Sequence, residues 1–169
     1  METPTREQAV RILEEGRAAI DELLARVSRA DLVRPGVGGG EWSPKDLVGH
    51  LASWEERALE ALAAWDRGER APIDRELYSR RLSDINAEAV ARKAGKTYLQ
   101  VRRAADRTHA ELLESIRTMP AERWNAPATP RGRRPLGSRL GQILVGVGPF
   151  GHAQAHVKSL RQLVEGLEG

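Results

Sequence analysis

Apolar residues recur every three to four positions along most of this chain, in stretches that glycine and proline separate. That spacing places the apolar side chains on one face of an α-helix, whereas a strand would need strict alternation. Alanine, leucine, glutamate and arginine are abundant and β-branched residues are few, which also favours helix. The sequence therefore predicts an all-α protein with helical segments at about 5–29, 43–68, 75–92, 97–118 and 149–166.

The connections between these segments are predicted to be irregular. Pro35 and the glycine run at 36–40 indicate a flexible linker, because the run lacks the preceding strand and the following Lys-Ser/Thr of a phosphate-binding loop. Residues 121–137 carry five proline or glycine residues and are expected to be irregular, while 136–146 could form a short helical turn. Pro149 is expected to open the last helix.

Length and composition limit the classes of protein to consider. The 169 residues suffice for one domain, 1–169, with a buried core. The absence of cysteine excludes disulfides, zinc–thiolate sites and a cysteine nucleophile, and it favours a reducing cytoplasmic location. No signal peptide is expected, because the first residues carry no cationic start followed by an apolar stretch. The least polar run, at 140–151, is too short to span a membrane.

The second helical segment has the clearest start in the chain. Ser43 can cap the helix, Pro44 suits its first position, and Asp46 completes a pair that resembles a capping box. Seven residues after the cap, His50 lies on the same apolar stripe as Trp54 and is expected to point inward.

Two further histidines are four residues apart in the last helical segment. His152 and His156 would therefore project from the same helix face, which is a spacing that binds a metal ion. With His50 from a facing helix they could supply three nitrogen ligands and leave positions open for water or substrate, as in catalytic sites. Core histidines that only form hydrogen bonds would show the same spacing, so spacing alone leaves both interpretations open.

Two motifs resemble a known family. The segment at 41–55 contains Trp-Ser-Pro-Lys-Asp, then His50, then Trp-Glu, and it resembles the second-helix signature of the DinB-like superfamily, most of all its ClbS/DfsB branch. Residues 84–88, with their Ile-Asn pair, are similar to an extra segment of that branch. The pair His152 and His156 stands where these proteins carry paired histidines. The resemblance covers nearly the whole chain, but only the second-helix and last-helix motifs are specific.

The resemblance implies a fold and a metal site. The fold would be an up-down four-helix bundle with an extra helical segment between helices 2 and 3. One divalent metal would be bound by His50, His152 and His156, with zinc or nickel preferred over iron or cobalt. The family also suggests a homodimer.

Five more residues are candidates for the cavity or for contacts behind the ligands: Trp54, Glu55, Tyr78, Asn86 and His109. Glu55 could accept a hydrogen bond from a ligand imidazole, although a solvated charge is the commoner role for such a residue. Trp54 is most simply core packing, and His109 a partly buried histidine. Tyr78 and Asn86 would close over the site if the segment at 75–92 forms a lid, which only the resemblance suggests.

The function expected from these features is a metal-dependent enzyme that acts on an electrophilic small molecule. The family includes thiol S-transferases, isomerases and a hydrolase, with roles in stress and detoxification. The metal would lower the pKa of a bound water or thiol, which would then attack the substrate. A thiol would have to come from a low-molecular-weight cosubstrate, because the chain has no cysteine.

Two alternatives stay open. The first is a metal-free protein of the ClbS type that confers resistance by binding a small molecule. The second is nucleic-acid binding through the loop that carries Arg131, Arg133, Arg134 and Arg139. It ranks last, because no aromatic residue is interleaved to stack bases and the 27 basic and 24 acidic residues are mixed along the chain.

Overall fold

The computed structural model describes residues 2–169 and is helical through most of that range. Its helices are α1 (Arg6–Leu24), α2 (Pro44–Asp66), α3 (Pro72–Ser79), α4 (Leu82–Lys93), α5 (Tyr98–Thr118), α6 (Ala121–Asn125), α7 (Leu136–Ile143) and α8 (His152–Glu168). Within residues 2–169 there is no β-strand beyond two isolated bridges. The predicted fold class, an all-α bundle with an extra helical segment between the second and third long helices, is confirmed. None of the helices described is long and apolar enough to cross a membrane.

Four long helices form the bundle: α1 packs against α5 and α8, and α2 packs against the same two helices. Helices α1 and α8 run in the same direction. Gln154 Nε2 donates to the carbonyl of Ile12, and Arg26 pairs with Glu168, so residue numbers increase together along both helices.

Helices α2 and α5 also run parallel to each other, because Gly49 lies against Val101 and Glu55 pairs with His109. Helix α1 runs opposite to α5, since Arg17 pairs with Asp106 and Glu14 with Arg117. The order of directions is therefore up, down, down, up, and not the strict alternation that an up-down bundle implies. Two parallel neighbours cannot be joined by a tight turn, so the chain needs a return segment between them. Helices α3 and α4 provide that return, and both pack on α2.

The second helix begins as the sequence predicts. Ser43 Oγ accepts a hydrogen bond from the amide of Asp46, while the Asp46 carboxylate accepts one from the amide of Ser43 at 2.9 Å. Pro44 occupies the first turn. This capping box fixes the rotation of the helix, and its inward stripe therefore starts with Leu47 and His50, both fully or nearly buried.

The predicted flexible linker at 36–40 is instead a structured turn. The amides of Gly36 and Val37 both donate to the carbonyl of Trp42, and residues Val37–Gly39 form a 3-10 turn that packs on α8. Gly36 and Gly38 have positive φ angles of 142° and 64°, which explains glycine at these positions.

The predicted helix at 75–92 is also corrected, because it is two helices with an earlier start at Pro72. The backbone is extended at Arg80 and Arg81, which ends α3 and reorients α4. Likewise, residues 121–137 are not wholly irregular, since α6 occupies their first part. Trp124 of this short helix is buried, and its Nε1 donates to the carbonyl of Pro4 at 2.9 Å.

Two glycines provide a matched test of this packing. A Cβ at Gly137 would lie 2.2 Å from Cε2 of buried Trp124, whereas a Cβ at Gly166 of α8 has no neighbour within 4 Å. We expect Gly137→Ala to lower the free energy of unfolding by about 1–3 kcal/mol through overpacking. Gly166→Ala should raise it by roughly 0.5–1 kcal/mol through helix propensity. Urea unfolding measures both; equal effects of the two substitutions would contradict the described packing of α6 on α7.

Candidate metal centre

His50 is held in the interior by its place on α2. Its exposed fraction is only 3%, and the ring centroid of Trp42 lies 4.6 Å from its own. Its neighbours on α2 belong to two apolar clusters of the core, Leu47 and Leu51 to one and Trp54 to the other. Its Nε2 atom points towards α8.

His152 is the first residue of α8, so the prediction that Pro149 opens this helix is wrong. Phe150 has a φ angle of +63°, which a helix cannot accommodate and which is rare for a bulky side chain. The fully buried ring of Phe150 stacks on Trp124 at a centroid distance of 5.9 Å, and this packing stabilises the unusual backbone.

The turn before α8 is also fixed by backbone hydrogen bonds. The amide of His152 donates to the carbonyl of Leu144 at 3.1 Å, and the amide of Val147 donates to that of Gly151 at 3.0 Å. A Cβ at Gly146 or Gly151 would lie 2.3 Å from a backbone oxygen, so glycine is needed at both positions. The first turn of α8 is thereby held in place, and with it the direction of His152.

The three histidines meet at their Nε2 atoms. His152 Nε2 lies 3.0 Å from His50 Nε2 and 3.3 Å from His156 Nε2. One nitrogen from each residue falls within 4.8 Å of the others. The sequence-based grouping of these residues thus corresponds to a real cluster, which we call the His triad.

Hydrogen bonding alone does not satisfy this arrangement. A neutral imidazole Nε2 carries either one hydrogen or one lone pair, so His152 Nε2 can form a good hydrogen bond with only one of its two neighbours. A divalent cation removes the conflict, because it accepts all three lone pairs. Metal–nitrogen bonds of about 2.1 Å place two ligand nitrogens about 3.0 Å apart at a right angle and about 3.4 Å apart at a tetrahedral angle. The two separations measured from His152 Nε2, 3.0 Å and 3.3 Å, fall in that range.

The electrostatics of the His triad favour neutral imidazoles, which are the form that binds metal. Burial, reinforced by His152 and His156, lowers the pKa of His50 to about 2. Burial, followed by the effect of His156, lowers the pKa of His152 to about 4. Burial also lowers the pKa of His156. All three rings are therefore uncharged at neutral pH.

The residues expected behind the ligands lie elsewhere. Glu55 is buried rather than solvated, and its Oε1 lies 2.8 Å from Nδ1 of His109 instead of contacting a His-triad imidazole. Nδ1 of His50 is buried without a hydrogen-bond partner among residues 2–169. The orientation of His50 consequently comes from packing against Trp42 and not from a carboxylate.

A cavity of about 470 Å³ opens onto the His triad. Its other lining residues are Trp42, Trp54, Ile73, Asp74, Leu77, Leu82, Asn86, Arg139, Gln142, Ile143 and Val145. Trp54 and Asn86 both line it, and Trp54 Nε1 donates to Asn86 Oδ1 at 2.9 Å. Tyr78, by contrast, is 88% exposed and does not line the cavity. Helices α3 and α4 thus form one wall, but through other residues than Tyr78.

Two contacts at or near the site were not predicted from the sequence. Lys93 joins α4 to α2, because its Nζ donates to the Gly49 carbonyl at 3.0 Å and to Ser53 Oγ at 2.9 Å. Arg139 Nη2 donates to both carboxylate oxygens of Asp74 at the edge of the cavity. No local motif marks either contact, since each joins residues 40 or more positions apart.

Two solved structures share the fold. An uncharacterised protein from Escherichia coli UTI89 has a TM-score of 0.76 at 13% identity, over 97% of this chain and 95% of that chain. The colibactin self-resistance protein ClbS, solved in complex with double-stranded DNA, has a TM-score of 0.73 at 13% identity, over 99% of both chains. At these identities the likeness shows the fold alone. No curated protein sequence matches significantly.

The family itself follows from a match between the sequence and a family model. That model describes the DinB superfamily, and it matches residues 4–148. This range spans the bundle from α1 to α7 and includes His50. The chain therefore belongs to the DinB superfamily.

Proposed function

We propose that this protein is a metal-dependent enzyme that acts on an electrophilic small molecule. His50, His152 and His156 would hold one divalent ion, with zinc or nickel preferred over iron or cobalt. The observation that carries the proposal is the convergence of three Nε2 atoms at the wall of a cavity of about 470 Å³. The family match ends at residue 148, so support for His152 and His156 comes from this geometry.

The cavity suits a small substrate in size and chemistry. Its volume falls within the range of ligand pockets, about 300–1,000 Å³. Leu77, Leu82, Ile143 and Val145 make much of its lining apolar, which would exclude water from a bound substrate. Asn86 is held by Trp54 and cannot easily reorient, so it would contribute to a fixed shape.

The chemistry would depend on the ion and on a nucleophile from outside the chain. A divalent ion supplies Lewis acidity, which lowers the pKa of a water or thiol that binds it. The chain has no cysteine, so a thiol-transfer reaction needs a low-molecular-weight thiol cosubstrate, and a hydrolase needs only water. The three protein ligands would leave room at the ion for that nucleophile or for the substrate.

Metal content tests the site directly. Protein purified without an affinity tag should contain roughly one equivalent of divalent metal per chain, and His50→Ala should lose nearly all of it. Elemental analysis by plasma mass spectrometry measures both. The matched control is His109→Gln, because His109 pairs with Glu55 away from the His triad and should leave the metal content unchanged. Equal metal content in wild type and His50→Ala would refute the site.

The pH dependence of stability offers an independent test on metal-free protein. In the folded protein the pKa values of His50 and His152 are lowered from 6.5 to about 2 and about 4. Below about pH 6.5 the unfolded chain therefore binds more protons at these histidines than the folded chain does. The contribution of these histidines to the free energy of unfolding should therefore be fully present above about pH 6.5. It should decrease as the pH falls, by about 1.4 kcal/mol per pH unit for each of the two histidines.

Urea unfolding between about pH 7 and about pH 5 measures that slope. Replacing His50 by Gln removes one of the two groups, so the slope should decrease by about half of their combined contribution. An identical slope in wild type and His50→Gln would show that His50 is not buried in its neutral form.

A second candidate function is metal-free binding of a small molecule. It is favoured by the largely apolar lining of the cavity and by the structural likeness to ClbS, a self-resistance protein. It predicts that a ligand found by thermal-shift screening still stabilises the variant in which His152 and His156 are both Ala. The metal-dependent proposal predicts instead that this variant no longer turns over an electrophilic substrate. For a thiol transferase, turnover by the wild type would require both metal and thiol; for a hydrolase, it would require metal alone.

A further inference from the structure

A second recess lies beside the cavity of about 470 Å³ that opens onto the His triad, which we call the metal-centre cavity. It has a volume of about 820 Å³ and lies between the end of α2 with the start of α3 and the loop at 128–134. Its charged lining residues are Arg70, Asp74, Arg131, Arg133, Arg134 and Arg139. We call this recess the arginine groove.

The loop of the arginine groove has a defined conformation. The amide of Ala128 donates to the carbonyl of Arg134 at 3.2 Å, and the amide of Leu136 donates to that of Ala126 at 2.8 Å. A turn at its tip is closed by the amide of Gly132, which donates to the carbonyl of Thr129 at 2.9 Å. The hairpin therefore holds three arginines along one side of the recess.

The charge of the arginine groove is not balanced within the chain. Among residues 2–169, Arg70, Arg131, Arg133 and Arg134 form no salt bridge, and Asp74 is the single acidic residue of the lining. Asp74 is itself paired with Arg139. Guanidinium groups without a carboxylate partner are donors that recognise phosphate or carboxylate groups.

The arginine groove and the metal-centre cavity share a wall. Asp74, Leu77 and Arg139 line both recesses, so the Arg139–Asp74 pair lies at their junction. The two recesses are therefore adjacent, with the His triad at the more apolar one and the hairpin at the cationic one.

We propose that the arginine groove is a subsite for the phosphate or carboxylate groups of a small molecule whose other end occupies the metal-centre cavity. That the other end of the molecule occupies the metal-centre cavity rests on the proposed function. That the groove binds an anion depends only on the residues of the groove. Asp74 then limits the affinity, because its carboxylate competes with the anion for Arg139.

A small anion fits this recess better than a nucleic acid does. The volume is that of a ligand pocket, whereas a duplex needs a positive surface of about 600–1,000 Å² or more. Trp65 is 3% exposed, so it offers no face on which a base could stack.

Calorimetric titration with inorganic pyrophosphate tests the groove. The double variant Arg133→Ala/Arg134→Ala should bind it about tenfold or more weakly than wild type does, because two charge-assisted contacts are lost. The matched control Arg103→Ala/Arg107→Ala removes two exposed arginines of α5 and should remain within about twofold of wild type. Asp74→Asn should change the affinity in the opposite direction and raise it severalfold.

Further outcomes separate this proposal from the proposed function. His152→Ala should bind pyrophosphate with the affinity of the wild type, because the groove does not depend on the His triad. This expectation holds whether or not elemental analysis finds metal in the wild type. A tenfold loss in His152→Ala would place the anion at the His triad and overturn the groove. Equal losses in the two double variants, no binding by wild type, or tighter binding of a short DNA duplex that depends on Arg133 and Arg134 would also overturn it.

Discussion

The contact between His50 of α2 and His152 at the start of α8 determines how the functional end of this bundle is built. One buried and two half-buried imidazoles pack against one another, and burial lowers the pKa values of His50 and His152, so that the charged forms are disfavoured. As neutral rings they cannot all be satisfied by hydrogen bonds, because His152 Nε2 has two neighbours and one bonding position. A cation that accepts all three lone pairs would stabilise such a cluster, which supports the proposal of a metal centre over core packing alone.

The helix order supplies the rest of the site. Because α2 and α5 run parallel, the chain must return between them, and α3 and α4 make that return along the side of α2 that carries His50 and Trp54. The inserted segment thereby becomes a wall of the cavity. The same segment contributes Asp74 and Leu77, which connect the cavity to the arginine groove. One topological requirement thus accounts for a wall of each recess.

Local sequence signals predicted the parts of the site that depend on a single helix. The capping box at Ser43 fixed the rotation of α2, and the spacing of His152 and His156 fixed their common face. The turn at Phe150 could not be predicted, because its left-handed backbone depends on ring packing against Trp124, which is distant in sequence. The same reason applies to Glu55, whose partner is His109, and to the Arg139–Asp74 pair.

The central claim is that one ion binds three imidazoles, and X-ray absorption spectroscopy at the edge of the bound metal tests it most directly. The account predicts a first shell with three imidazole nitrogens at about 2.0–2.1 Å for zinc, completed by light atoms from solvent. His156→Ala should reduce the imidazole count to two or release the metal. A wild-type spectrum with one imidazole or none, or one that His156→Ala leaves unchanged, would contradict the claim.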